Sequence, residues 1–516
     1  MPSLLLILIS LFTIHHSLLP AGRPNVVLIL IDDLGYADMS FHPDAPADVH
    51  TPAIDRIAER SVSFTNGYST APICSPARAG LTTGRYQQRW GNYWYSEGGL
   101  PRGLSTIASS LRDLGYATKK IGKNHNNGGP ANHPLDHGFD EFLGFNHHTH
   151  DYLRLSEKDV EAYQKHTSKF GILEVGPLER GRGEPVSYEG EYTTDIFTDE
   201  AIEFIERERP TDQPYFIHLS YNAVHMPTYV GHPDYLDRFG VDQAEWDRTA
   251  DNWEFPFWDP RKETWAKWHQ KWGHLQAVDP QGRQRYLLQL AVLDDNIARL
   301  LDTLEANGQM ENTVLVFLSD NGGTINTYSN NGRLAGSKYM FGEGGLRIPI
   351  LLSYPKRLAT GKVEDSLVSA MDLYPTLLEL TGGNAPADID GRSLLSLLNG
   401  EESFADRALH WEKDSETWAL RSGPWKLSNN IQWDHTAYRL DEQGIAHRAP
   451  DFHFPGGPLR LVNLEDDIAE TTDLSSSYPE ITERLMRQHQ EWQSQMGPRL
   501  KGDKLWQTYP PTNRSN

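Results

Sequence analysis

Asn25-Val26-Val27-Leu28-Ile29-Leu30-Ile31 is an almost unbroken run of β-branched and aliphatic residues that stops abruptly at Asp32-Asp33. A run that is apolar at nearly every position, rather than at alternate ones, suits a parallel strand covered on both faces. The design recurs downstream. Thr313-Val314-Leu315-Val316-Phe317-Leu318-Ser319 stops at Asp320-Asn321-Gly322-Gly323, and Tyr215-Phe216-Ile217-His218-Leu219-Ser220 reads as a third such strand. Between these runs the spacing of apolar residues predicts helices over 52–60, 105–114 and 284–306, the last two followed by Gly115 and Gly308. Strands alternating with helices predict an α/β fold, a large, mainly parallel sheet flanked by helices on both faces. In such sheets ligands bind beyond the carboxyl ends of the strands, where both acidic pairs sit.

The chain is longer than one ordinary domain. We expect a catalytic α/β domain over 22–404, a C-terminal α+β subdomain over 405–500 and a tail over 501–516. Short strands are expected near 417–420, 425–427 and 459–462, forming a small antiparallel sheet, with a helix over 479–496. Residues 230–280 break the α/β pattern with Trp246, Trp253, Trp258, Trp265, Trp268 and Trp272, and read as an insertion packing aromatics onto the body or, as the alternative, as a platform for stacking sugar rings. The net charge of −22 argues against nonspecific nucleic-acid binding. An anionic substrate must therefore be drawn by a local basic pocket. Residues 1–21 are mostly apolar up to Ile14 and have signal-peptide length, so a secreted or periplasmic protein is expected, with no membrane span. Export normally invites disulfides, yet Cys74 is the only cysteine, which points to a thiol kept for chemistry.

Three carboxylates and an amide (Asp32, Asp33, Asp320, Asn321) at two strand ends form an oxygen-rich donor set. Such a set suits Ca²⁺ or Mg²⁺ rather than zinc. Cys74-Ser75-Pro76-Ala77-Arg78 reads as a helix start, with Ser75 as N-cap, Pro76 in the first turn and a close near Gly84. Cys74 would then lie at the positive end of the helix with Arg78 one turn on, an arrangement that binds anions. The cysteine reads as a structural thiol, as a thiolate nucleophile or as the precursor of an aldehyde.

Cys74-x-Pro76-x-Arg78 followed by Ala79-Gly80-Leu81-Thr82-Thr83-Gly84-Arg85 resembles the signature of the type I, formylglycine-dependent sulfatases of the alkaline phosphatase superfamily. Further strings resemble the family in order: Arg23-Pro24-Asn25 into Asp32-Asp33, Gly122-Lys123-Asn124-His125, Gly138-Phe139-Asp140, Asn222 to Pro227, Ser319 to Gly322, Lys338, and Glu343 to Pro349. The resemblance implies an alkaline-phosphatase-like sandwich and a sulfuric ester hydrolase. It implies that Cys74 is converted to formylglycine (3-oxoalanine) by a maturation enzyme and joins Asp32, Asp33, Asp320 and Asn321 around one calcium ion. A hydroxyl of the aldehyde hydrate attacks sulfur. Asp320 is then its base or metal-bound partner, and Arg78 holds the hydrate. Lys123 and Lys338 neutralise the sulfuryl oxygens. His225 protonates the leaving alcohol and His125 assists sulfate release. Two positions depart from the family, Asn124 for an aromatic and Val224 for a proline.

His147, His148, His150, Asp151, Tyr95, Arg102 and Arg333 lie in or near motif loops and are candidate substrate-binding residues. Arg154 joins them as a further cation. Polar groups with aromatics suit a sulfated carbohydrate, the favoured substrate over a small aryl sulfate. The rival readings are a phosphonate or phosphate ester hydrolase of the same superfamily and a noncatalytic polyanion-binding protein.

Overall fold

In a computed structural model of the chain, the described residues are 22–95, 97–126, 132–158, 160–161, 175–207, 213–228, 230–242, 281–324, 327–430, 438–440, 446–448 and 459–500. The expected signal peptide, the six tryptophans of the expected insertion and the 501–516 tail lie outside the described residues.

The body is a ten-stranded mixed sheet in the order Lys362–Glu364, Val62–Phe64, Ile350–Ser353, Thr313–Ser319, Asn25–Ile31, Tyr215–Ser220, Ala117–Lys123, Glu141–Phe145, Leu178–Arg180, Glu184–Val186. The five strands from Thr313–Ser319 to Glu141–Phe145 run parallel to one another, and antiparallel pairs extend the sheet on both sides. The three strands read from the sequence are immediate neighbours, with Asn25–Ile31 in the middle.

The unbroken apolar run has a direct cause. Val27, Ile29 and Ile31 enter a core shared with the helices Pro52–Arg60, Thr193–Glu206 and Gly282–Ala306. Val26, Leu28 and Leu30 enter a second core shared with Ile107–Asp113 and Leu373–Leu380. All six are fully buried, and burying each such side chain is worth about 1.5–3 kcal/mol. The expected 105–114 helix is shorter, Ile107–Asp113, because Thr106 and Ser109 close a capping box at its start. Asp294, midway along Gly282–Ala306, accepts the Ala53 and Ile54 amides at 2.9 Å each and so caps the neighbouring Pro52–Arg60 helix.

The C-terminal part forms a four-stranded antiparallel sheet, Ala408–Asp414, Thr417–Ser422, Trp425–Asn429 and Leu459–Asn463, backed by the helix Pro479–Gln493 through Leu485. The first of these strands is absent from the sequence reading. Its buried His410 and Glu412 interrupt the apolar alternation that announces a strand.

A buried polar knot fastens this sheet to the body. Lys426 Nζ lies 3.0 Å from Glu343 and 2.8 Å from Glu470. Glu343 also accepts from Tyr68 Oη at 2.5 Å and pairs with Arg347 at 2.7 Å, while Arg421 donates to the Tyr68 hydroxyl. Trp411 Nε1 donates to the Ser69 carbonyl at 2.7 Å. The segments held in this way lead directly into Cys74 on one side and follow Lys338 on the other.

Candidate active site

The candidate residues converge because their strands are adjacent and parallel. Ile31 pairs with Ser319, Leu30 with Ser220, and Gly122 with Ser220, so Asp32-Asp33, Asp320-Asn321, Lys123-His125 and the Asn222–His225 turn leave the sheet at one edge. The crowding requires glycine at position 122. Its φ is 91°, and a Cβ there would come within 2.0 Å of the Ser220 carbonyl. Asp33 and His125 adopt left-handed backbone angles, φ 59° and 48°, which are uncommon for residues with side chains.

Cys74 comes from above the edge, as the first residue of the helix Cys74–Thr83. The N-cap is Ile73, in extended backbone, rather than the expected Ser75. Ser75 lies inside the first turn instead, and the helix closes at Gly84 with φ 65°. The correction places Cys74 within the positive end of the helix rather than just before it.

Cys74 is 2% exposed. Lys338 Nζ donates to its Sγ at 3.0 Å, and the Sγ reaches Asp32 Oδ1 at 3.6 Å. Lys338 also pairs with Asp33 at 2.7 Å, and Lys123 pairs with Asp32. Arg78 grips Asp320 through Nε and Nη2, each at 2.9 Å, and its Nη1 donates to Ser220 Oγ at 2.6 Å. Arg78, Lys123 and Lys338 thus balance Asp32, Asp33 and Asp320 in a fully buried cluster. Arg78, which the resemblance implies holds the hydrate at Cys74, here grips the Asp320 carboxylate with its fork.

Burial pushes the Cys74 thiol well above its ordinary value, although Lys123 and Lys338 pull the other way. Burial raises the Asp33 carboxyl to about 6 against the pull of Lys338. Burial also acts to raise Asp32, but Lys123, Arg78 and Lys338 outweigh it and hold that carboxyl below the usual range. Burial, then Lys123 and Lys338, holds the His225 imidazole well below its usual value.

Single ligand atoms of Asp32, Asp33, Cys74 and His225 lie within 4.8 Å of one another. His225 joins this group through Nε2, 3.6 Å from Asp33 Oδ2. Asp320 adjoins it, its Oδ1 accepting the Asp33 amide at 3.3 Å. Asn321 turns its amide nitrogen to Asp33 Oδ1 at 2.7 Å, which leaves its own Oδ1 buried without a hydrogen-bond partner. An orphaned carbonyl oxygen beside three carboxylates fits a hard divalent cation.

The outer candidates divide. His148 stands over the site, its ring 5.9 Å from His125 and 4.1 Å from His147, within electrostatic reach of His225, Lys123 and Lys338. Tyr95 lies within electrostatic reach of Tyr339, next to Lys338 in the chain. His150 and Asp151 are buried and pair with each other and with Arg154, contacts that tie them to one another rather than to the carboxylates. Arg102 is exposed, and its charge is felt at His137. Arg333 is also exposed and pairs with Asp44 at 2.9 Å. Neither arginine contacts the site among the described residues. The sequence reading missed Ser220, Ser69 and Tyr339. No signal marks the serines, and only adjacency to Lys338 marks the tyrosine.

Three buried carboxylates matched by three buried cations, at the carboxyl edge of a mixed sheet, form a site able to hold a small oxyanion. The chain belongs to the sulfatase family, whose pattern matches residues 24–383, and it is a sulfuric ester hydrolase. It is 30% identical over 433 residues to the N-acetylgalactosamine-6-sulfatase of Mus musculus, covering 79% of this chain and 73% of the relative. Arylsulfatase J of Mus musculus is 26% identical over 499 residues, covering 90% and 75% of the two chains. Among solved structures, Ps i-CgsB in complex with k-i-k-neocarrahexaose superposes with a TM-score of 0.72 at 27% identity, covering 92% of this chain and 94% of that one. The phosphonate monoester hydrolase of Agrobacterium radiobacter shares the fold, with a TM-score of 0.60 at 20% identity, covering 92% and 96% of the two chains.

Proposed function

We propose that this protein is an exported sulfatase that removes O-sulfate from a sulfated carbohydrate, with Cys74 matured to formylglycine and one calcium ion held by Asp32, Asp33, Asp320 and Asn321. The observation that carries the reading is the position of the Cys74 side chain. It sits between Lys338 and Asp32, at the start of a helix and inside a group of metal-ligand geometry. A buried thiol whose ionisation is suppressed is a poor nucleophile, whereas an aldehyde made at Cys74 would, once hydrated, offer a hydroxyl for attack on sulfur. A calcium ion held by Asp32, Asp33, Asp320 and Asn321 would supply positive charge against the sulfuryl oxygens.

The chain's own groups carry the rest. Lys123 and Lys338 direct their ammonium groups into the pocket and hold the sulfate oxygens. Arg78, fixed by Ser220 and the Lys123 carbonyl, keeps the Asp320 carboxylate in place. His225 Nδ1 lies 2.9 Å from the Met226 carbonyl and carries its hydrogen there. Nε2, 3.6 Å from Asp33 Oδ2, is therefore the nitrogen that must first take up a proton in order to give one to the leaving alcohol. His125, half-buried two residues after Lys123, assists release of sulfate. The relative named for N-acetylgalactosamine-6-sulfate and the neighbour solved with k-i-k-neocarrahexaose support a sugar substrate. The apolar opening segment supports export.

Mass spectrometry of the Cys74 peptide from active protein tests the reading, and the aldehyde mass is expected. Active material holding only the unmodified thiol, or a Cys74→Ala protein that still releases sulfate, overturns it. Turnover of nitrophenyl sulfate against nitrophenyl phosphate separates the sulfatase from a phosphate ester hydrolase.

A further inference from the structure

Tyr339 is the residue after Lys338, and its backbone is held at φ 74°, an outlier for an aromatic side chain. Its amide donates to the Pro72 carbonyl at 2.7 Å, two residues before Cys74, and its ring centroid lies 5.5 Å from Lys338 Nζ. A second aromatic segment meets it. Trp94 stacks on Phe341 at 6.2 Å and contacts Tyr95 at 6.4 Å, and Lys413 Nζ lies 5.4 Å from the Trp94 ring. Trp94 is buried between these groups, but Tyr95 is 41% exposed. Large exposed apolar groups are few among the described residues, and this one lies next to buried Trp94 and within electrostatic reach of Tyr339, the residue after Lys338.

We infer that Tyr95 and Tyr339 form an aromatic ledge beside the sulfate pocket that receives the apolar face of a sugar ring of the substrate. This rests on the carbohydrate reading above. The sulfate itself is held by buried cations and needs no ring. An exposed ring backed by a buried one offers a flat apolar surface at little ordering cost, which matches the C–H face of a pyranose. Stacking needs the ring and not the hydroxyl, so the two tyrosines discriminate sugars from non-sugar sulfates.

The experiment uses matured full-length enzyme on N-acetylgalactosamine-6-sulfate and sulfated carrageenan oligosaccharides, with inorganic sulfate as a competing inhibitor that probes the anion pocket alone. Tyr95→Ala is expected to raise KM for the sugar it hydrolyses about tenfold, with kcat and the sulfate inhibition constant within about twofold. Tyr95→Phe is expected to restore KM. Tyr339→Phe is expected to follow Tyr95→Phe, and its melting temperature confirms that the left-handed turn is intact. An unchanged KM in Tyr95→Ala overturns the ledge, as does an equal KM rise in Tyr95→Phe, which assigns the hydroxyl, or an equal loss of sulfate affinity, which assigns the anion pocket. Failure of the wild-type enzyme on every sugar sulfate, with nitrophenyl sulfate still cleaved, overturns the carbohydrate reading itself and the ledge with it.

Discussion

Ser69 Oγ donates to the main-chain carbonyl of Asp320 at 2.5 Å, and the same oxygen lies 2.9 Å from the carbonyl of Ala71. One hydroxyl thus spans the gap between the second acidic pair and the loop that delivers Cys74. The Ser69 amide donates to the Leu346 carbonyl at 2.9 Å and its carbonyl accepts from Trp411, so the serine is fixed from two further directions. Ser69→Ala strips these buried carbonyls of a donor, at a cost of about 1–3 kcal/mol. We expect a lower urea midpoint and a fall of about tenfold in kcat with KM little changed. An unchanged kcat alongside the lower midpoint would confine Ser69 to stability.

Chelation tests the oxygen-donor set. Three carboxylates and the orphaned Asn321 carbonyl form a site that a divalent ion stabilises only in the folded state. At a hundredfold excess over Kd, such binding adds about 2.7 kcal/mol. Dialysis against a chelator is expected to abolish turnover and lower the melting temperature, and calcium is expected to restore both. A melting temperature indifferent to chelator and calcium counts against a resident ion.

Lys426 bridges Glu343 and Glu470, all three fully buried. Lys426→Met leaves two carboxylates facing each other and is expected to cost about 3–5 kcal/mol. Burial acts to raise the Glu343 carboxyl, but Lys426, Arg347 and Arg421 outweigh it and hold it far below the usual carboxylate range. Its contribution is therefore present above the unfolded carboxyl pKa and lost as pH falls through the folded one. The variant should show a shallower loss of stability below pH about 4.5 than the parent, read from urea midpoints across that range.

A histidine seam gives a second acid dependence. His489 is 1% exposed, stacked on Trp418 at 4.3 Å, with its Nδ1 3.3 Å from His410 Nδ1 and its Nε2 3.6 Å from Glu412. Burial lowers His489 to about 3, lowers His410 as well, and raises Glu412. The unfolded chain binds its proton near pH 6.5, so between about 6.5 and 3 it holds more protons than the fold, and stability falls as pH falls. At pH 5 the His489 share is about 2 kcal/mol. His489→Phe should flatten the decline in urea midpoint between pH 7 and pH 5, and an unaltered slope would remove His489 from the account.

The core of the sheet was legible because its strands, covered on both faces, are short unbroken apolar runs rich in β-branched residues, and the acidic pairs marked where two of them end. Lys123, His125, His225 and Lys338 were legible through motif strings, and adjacency of parallel strands then brought them together. What escaped depends on direction rather than identity. His150 and Asp151 stand close in sequence to His148, yet they turn inward to Arg154. Arg333 is a cation near a motif, but Asp44, 289 residues away in sequence, holds it at the surface. Ser69 and Ser220 act through one hydroxyl each, which no spacing or composition announces. His410 and Glu412 hid a strand because their burial depends on partners from a distant helix.

The knot around Lys426 has a consequence for how the molecule is made. The carboxylates and cations paired around Cys74 have all been synthesised by residue 338, yet the lysine that secures Glu343 and the carboxylate that completes its shell arrive only at 426 and 470. A nascent chain, or a recombinant piece cut at 404, would possess the whole set of reactive side chains and still lack the bolt that locks their frame.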